Sequence, residues 1–137
     1  MSMFTESQIK AAHSKVKSGA DFPAYFQDLK NLGVTYYETF LKDGHSKYHG
    51  KNNFELTTAP KFEAISIADD VNVDQLKTDI ANHQQGRSNY LEIIGQAAGN
   101  GVEKWAVCMT AMTCSYFDKS GNKILVEEIP IPKGEYA

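Results

Sequence analysis

Twice along this chain a helical spacing of apolar residues ends at a Gly-Val pair and gives way to strict alternation, once at Gly33-Val34 and again at Gly101-Val102. Glycine stops a helix because it accepts the left-handed conformation there, and a change of period from 3.6 to 2 marks the start of a strand. A chain that makes this switch twice is constrained to an α+β fold. Two helix pairs packed on one face of a mainly antiparallel sheet is the expected architecture, and each half reads as a helix pair, a strand, a turn and a returning strand. A pseudo-duplication of this unit and a coincidence of α+β architecture both account for the shared plan, since few identities connect the halves.

The elements follow from local signals. Thr5 with Gln8 forms a capping-box pattern ahead of Ile9, Ala12, His13 and Val16, so a first helix is expected to about Ser18, broken by Gly19. Asp21 is placed to cap a second helix, Pro23 fits its first turn, and Phe22, Tyr25, Phe26, Leu29 and Leu32 form its stripe. The first strand puts Val34, Tyr36, Glu38 and Phe40 on one face and Thr35, Tyr37, Thr39 and Leu41 on the other. Asp43-Gly44 turns it into a returning strand, His45 to His49. Phe54 to Thr58 and Phe62 to Ile67 read as further strands, with Pro60 between them.

In the second half, Asn72 with Gln75 starts a helix faced by Val73, Leu76, Ile80 and His83 and stopped at Gly86. Ser88 starts another, turning Tyr90, Leu91, Ile94, Ala97 and Ala98 to the core. Val102 to Asp118 reads as one long strand, with Cys108 and Cys114 on the same face. The turn "DKSGN" leads to a last strand, Lys123 to Glu128, ended by Pro130 and Pro132, with an irregular tail from about residue 130.

A length of 137 residues with 42% hydrophobic and 23% charged residues predicts a single globular domain spanning the chain. The net charge of −3 and a lone arginine, Arg87, argue against nucleic acid, whose phosphates are met by clustered Lys and Arg. "MSMFTESQIK" has no signal-peptide core and no stretch approaches the roughly 18 apolar residues of a membrane span. A cytoplasmic location without membrane association is the expectation, with Cys108 and Cys114 as reduced thiols.

The histidines of "GHSKYHG" raise the question of metal. On one strand His45 and His49 would share a face about 13 Å apart, too far to ligate one ion, so no metal is expected there. His13 and His83 lie on apolar helix faces and read as core histidines. Cys108 and Cys114, in a half-buried strand, read as small apolar fillers. No Walker loop, GxGxxG, GxSxG or HExxH is present, so no cofactor and no catalytic set is expected. The turn "HQQGRSNY" presents Arg87 with Gln84 and Gln85, a polar joint able to contact a partner.

The segments "HQQGRSNYLEIIGQAAGNGVEKW", "MTCSYFDKSGNKILVEEIPIP" and "GVTYYETFLKDGHSKYHG" resemble an uncharacterised bacterial and prophage family, DUF1398, some of whose members carry the label "phage envelope protein". The resemblance covers almost the whole chain. It implies a phage-related origin and brings no catalytic residue, cofactor or substrate. Residence in a lipid envelope would need a spanning segment, a lipidation signal or an amphipathic surface helix, and none is readable.

The resulting expectation is a binding module, acting on a protein partner, on a second copy as a homodimer, or on a small ligand. Tyr36, His45, Tyr48, His49, Arg87 and Trp105 are its candidate contacts. The alternative is a small enzyme in which the fold brings His45 or His49 to Cys108, Cys114 or a carboxylate.

Overall fold

The structure, a computed structural model, describes residues 4–16 and 21–129. The first half contains α1 (Glu6–His13), α2 (Phe22–Leu32), β1 (Val34–Phe40), β2 (Ser46–Gly50) and β3 (Glu55–Thr57). The second contains α3 (Val73–Gln84), α4 (Tyr90–Gly99), β4 (Lys104–Cys108), β5 (Thr113–Phe117) and β6 (Lys123–Glu128). The first helix ends at His13, with Ser14 as its C-cap, short of the expected Ser18, and the irregular tail expected from about 130 lies outside the described residues.

Local chemistry accounts for the helix ends. In α1 the Thr5 hydroxyl accepts from the Gln8 amide at 3.2 Å, and the Gln8 side chain accepts from the Thr5 amide at 2.8 Å. Gly33 ends α2 with a φ of 106°. Asp21 holds the N-cap position of α2 without a side-chain capping bond. The start of α4 is one residue later than expected: Asn89 forms the capping box with Glu92, and Ser88 is buried against His83. Ile93 therefore turns inward with Ile94, while Leu91, expected in the core, is 63% exposed.

All strand pairs are antiparallel, in the order β3-β2-β1-β4-β5-β6. Each half contributes a three-stranded meander, and the two meet where β1 pairs with β4. This arrangement has the shared plan read in the sequence, with one strand more than expected in the second half.

That extra strand is a correction. The expected long strand from Val102 to Asp118 is a hairpin, β4 and β5, turned at residues 109–112. The turn lacks Gly, Pro, Asn and Asp; Met112 itself adopts the left-handed conformation at φ 55°, at a cost of about 1–2 kcal/mol for a residue with a Cβ. One consequence is that Cys108 and Cys114 do not share a face. Cys114 is opposite Val107, and Cys108 is opposite Thr113.

Two further expectations are corrected. Phe62 to Ile67 is no strand, because its amides bond to the carbonyls of Asp43 and Lys42 in the β1–β2 turn, yet Phe62, Ile65 and Ile67 still pack on the core. His45 belongs to that turn, and β2 begins at Ser46. A bulge between Val34 and Tyr36 also turns Val34 inward, so it is buried and does not share the outer face of Tyr36.

The inner face of the sheet packs on the helices in one cluster: Tyr37, Tyr48, Val107 and Tyr116 from strands meet Tyr25, Phe26, Leu29, Ile80 and Ile94 from helices. Among the described residues no helix is long and apolar enough to cross a membrane.

Candidate functional site

Cross-strand partners point to the same side, so the register fixes two rows on the inner face. One runs Tyr48, Tyr37, Val107, Cys114, Glu127, and the other Thr39, Trp105, Tyr116, Leu125. Between these rows and the helices is a cavity of about 100 Å³. Its walls gather five tyrosines: Tyr37, Tyr48 and Tyr116 from the sheet, Tyr25 from α2 and Tyr90 from α4. Trp105 and Phe22 add further ring surface. Exposed lining residues Gln84 and Glu128 mark where the space opens to solvent.

So many tyrosines in one interior demand hydrogen-bond partners, because a hydroxyl buried without one costs about 1–3 kcal/mol. Some are satisfied within the wall. The Tyr25 and Tyr48 hydroxyls lie 3.2 Å apart, and those of Thr39 and Ser46 lie 2.8 Å apart. The hydroxyls of Tyr37 and Tyr90 make no hydrogen bond to the described residues, and since no buried side-chain oxygen among these lacks a partner, both hydroxyls reach open space on the cavity they line.

Burial sets the charge state of this interior. It pushes the phenols of Tyr25, Tyr37, Tyr90 and Tyr116 upward, and the Cys114 thiol up to about 12, so all stay protonated at neutral pH. Burial and the nearby Lys61 hold His13 down at about 4, leaving its imidazole neutral. Its ring packs edge-on to Tyr25 and Tyr90, with centroids 5.3 and 4.7 Å away. His83 is lowered too, chiefly by burial, and its Nδ1 lies 3.0 Å from the Ser88 carbonyl and 2.9 Å from its hydroxyl.

Lys61 brings the formal positive charge. Its ammonium lies 5.3 Å from the centroid of Tyr90, a cation–π arrangement. With His13 and Tyr48 it lines both the cavity and an adjoining groove bordered by Glu6, Lys10 and Pro60, so these three side chains stand between the two spaces.

The structure divides the six candidates proposed from sequence. Tyr48 and Trp105 line the cavity. Tyr36, His45 and His49 are on the opposite face of the sheet, where Tyr36 meets His49 at 5.4 Å between centroids. His45 stacks flat on Phe40, centroids 4.5 Å apart, with its Nδ1 2.5 Å from Asp43 Oδ1. Because Phe40 and Tyr36 are two pleats apart on β1, the two imidazoles are anchored about 13 Å from each other. Arg87 is not among the residues lining the cavity and donates to Asn82 at 3.0 Å.

Cys108 faces outward with Tyr36, while Cys114 faces the cavity, so the enzyme alternative's set is split across the sheet. Among the described residues no group of three His, Cys, Asp or Glu side chains is arranged to hold a metal ion.

Tyr25, Tyr37, Tyr90, Tyr116 and Lys61 were not among the sequence candidates. The alternation of Tyr37 with Thr39 and the helical stripe through Tyr25 assign those residues an inward side, but apolar stripes say core and give no hint of a cavity. Lys61 is in an irregular segment with no periodic signal.

No curated protein matches this sequence. A family model described as "Protein of unknown function (DUF1398)" matches residues 10–128, and the chain belongs to that family.

Proposed function

We propose that this protein binds a small, largely apolar molecule of about one ring in the cavity between helices and sheet. The observation that supports it most is the pair of hydroxyls, Tyr37 and Tyr90, that make no hydrogen bond among the described residues, in an aromatic wall where Tyr25 pairs with Tyr48 and Thr39 with Ser46. Apolar walls with a few convergent polar groups are the usual form of a small-ligand site. The size sets one ring as the upper bound, since an apolar cavity of roughly 150 Å³ takes up benzene and this one, about 100 Å³, also opens to solvent at Lys61, Gln84 and Glu128. Two phenolic donors suit a ligand oxygen that accepts.

Catalysis by histidine with a thiol or carboxylate has less support. His45 meets Asp43 in a surface turn, Cys114 is held protonated, and His13 is too weak a base near pH 7.

Trp105 is the sole tryptophan and lines the cavity, so its fluorescence reports occupancy. Titration with single-ring probes such as phenol and benzyl alcohol is expected to give a saturable change, weakened about tenfold by Tyr37→Phe with Tyr90→Phe. Unchanged emission and an unchanged melting temperature with every ring-sized probe would overturn the proposal.

A further inference from the structure

Resting on that reading, we infer that the ligand is an organic acid, a single-ring or short apolar carboxylate whose charged end meets Lys61. Four observations converge. Lys61 lines the cavity and has no carboxylate within ion-pair distance among the described residues, unlike Lys104, which pairs with Glu38 at 2.6 Å. Lys61 is exposed at the rim of the cavity, and its ammonium over the Tyr90 ring keeps N–H groups for a further acceptor.

The charges nearby leave the Lys61 end positive. His13 is neutral, and on Lys61 the like charge of Lys10 outweighs the opposite charge of Glu6, itself 3.7 Å from the Lys10 ammonium. Glu127, the inner-face carboxylate of the cavity, lies at the other end of the row Tyr48–Tyr37–Val107–Cys114–Glu127. Four strand spacings, roughly 19 Å, separate Glu127 from Tyr48, and the exposed Glu128 is on the same far strand, while Tyr48 is the strand residue that lines both spaces with Lys61. Finally, the free Tyr90 hydroxyl belongs to the ring beneath the ammonium, which gives a carboxylate a neutral donor beside the charged one.

The test compares three probes of one shape, benzoate, benzamide and benzylamine, by Trp105 fluorescence and calorimetry. The wild type is expected to bind benzoate at least about tenfold tighter than benzamide, with benzylamine weakest. Lys61→Met is expected to remove that preference, and Lys61→Arg to restore it. Equal binding of benzoate and benzamide, preference for benzylamine, or a benzoate preference that survives in Lys61→Met would each overturn the inference while leaving the cavity reading intact. Failure of all three probes to bind would overturn both.

Discussion

The hydroxyl of Tyr25 on α2 lies 3.2 Å from that of Tyr48 on β2, a bond that ties the first helix pair to the sheet in the wall of the cavity. Its net value is about 1 kcal/mol, and a double-mutant cycle of Tyr25→Phe and Tyr48→Phe in urea unfolding is expected to return a coupling of that size. Truncation of either to Ala would instead leave a void and cost about 3–5 kcal/mol.

Stability is expected to fall as pH drops from about 6.5 to about 4, with His13 as a cause. In the folded chain its imidazole, packed against Tyr25 and Tyr90 and facing Lys61, takes a proton only near 4. The unfolded chain takes one near its ordinary value of about 6.5, so between these pH values the unfolded state binds more protons and is favoured. His13→Phe is expected to flatten this part of the curve of unfolding free energy against pH.

The two thiols are expected to react at different rates. Cys108 is partly exposed on the outer face, whereas Cys114 is buried with its thiol raised to about 12. A thiol reagent should modify one cysteine of the native protein quickly and the other only on unfolding, and Cys108→Ser should abolish the fast phase. Oxidation should produce no bridge between them within one native chain, since they face opposite sides of the sheet.

Two glycines are expected to answer a methyl group with opposite signs. Gly95 is inside α4 with open space where its Cβ would be, so Gly95→Ala should stabilise by about 0.5–1 kcal/mol. Gly101 has φ +94°, and a Cβ there would lie 2.9 Å from the Asp70 carbonyl, so Gly101→Ala should destabilise by about 1–2 kcal/mol or more. Thermal unfolding of the two variants measures both.

The architecture was legible because its signals are local: the Thr5 capping box, the stop at Gly33, and the alternation through Tyr37 and Thr39 all act within a few residues. The β4–β5 hairpin was not, because its turn is held by the pairing of Val107 with Cys114 and tolerates a left-handed Met112 that no turn chemistry announces. Ile65 and Ile67 alternate as a strand would, but strand identity needs a neighbour, and here the neighbouring backbone is a turn. The cavity was least legible. It depends on Tyr25, Tyr90 and Lys61 arriving from three separate segments, and Tyr48 and Trp105 were singled out only for being aromatic.

Intermolecular NMR contacts locate a bound single-ring acid on the protein. With benzoate, cross-peaks are expected from the ligand ring to the ring protons of Tyr37, Tyr90 and Trp105, all lining one cavity. Contacts confined to the outer face, at Tyr36, Phe40 and His49, or no contacts at saturating ligand, would contradict binding in that cavity.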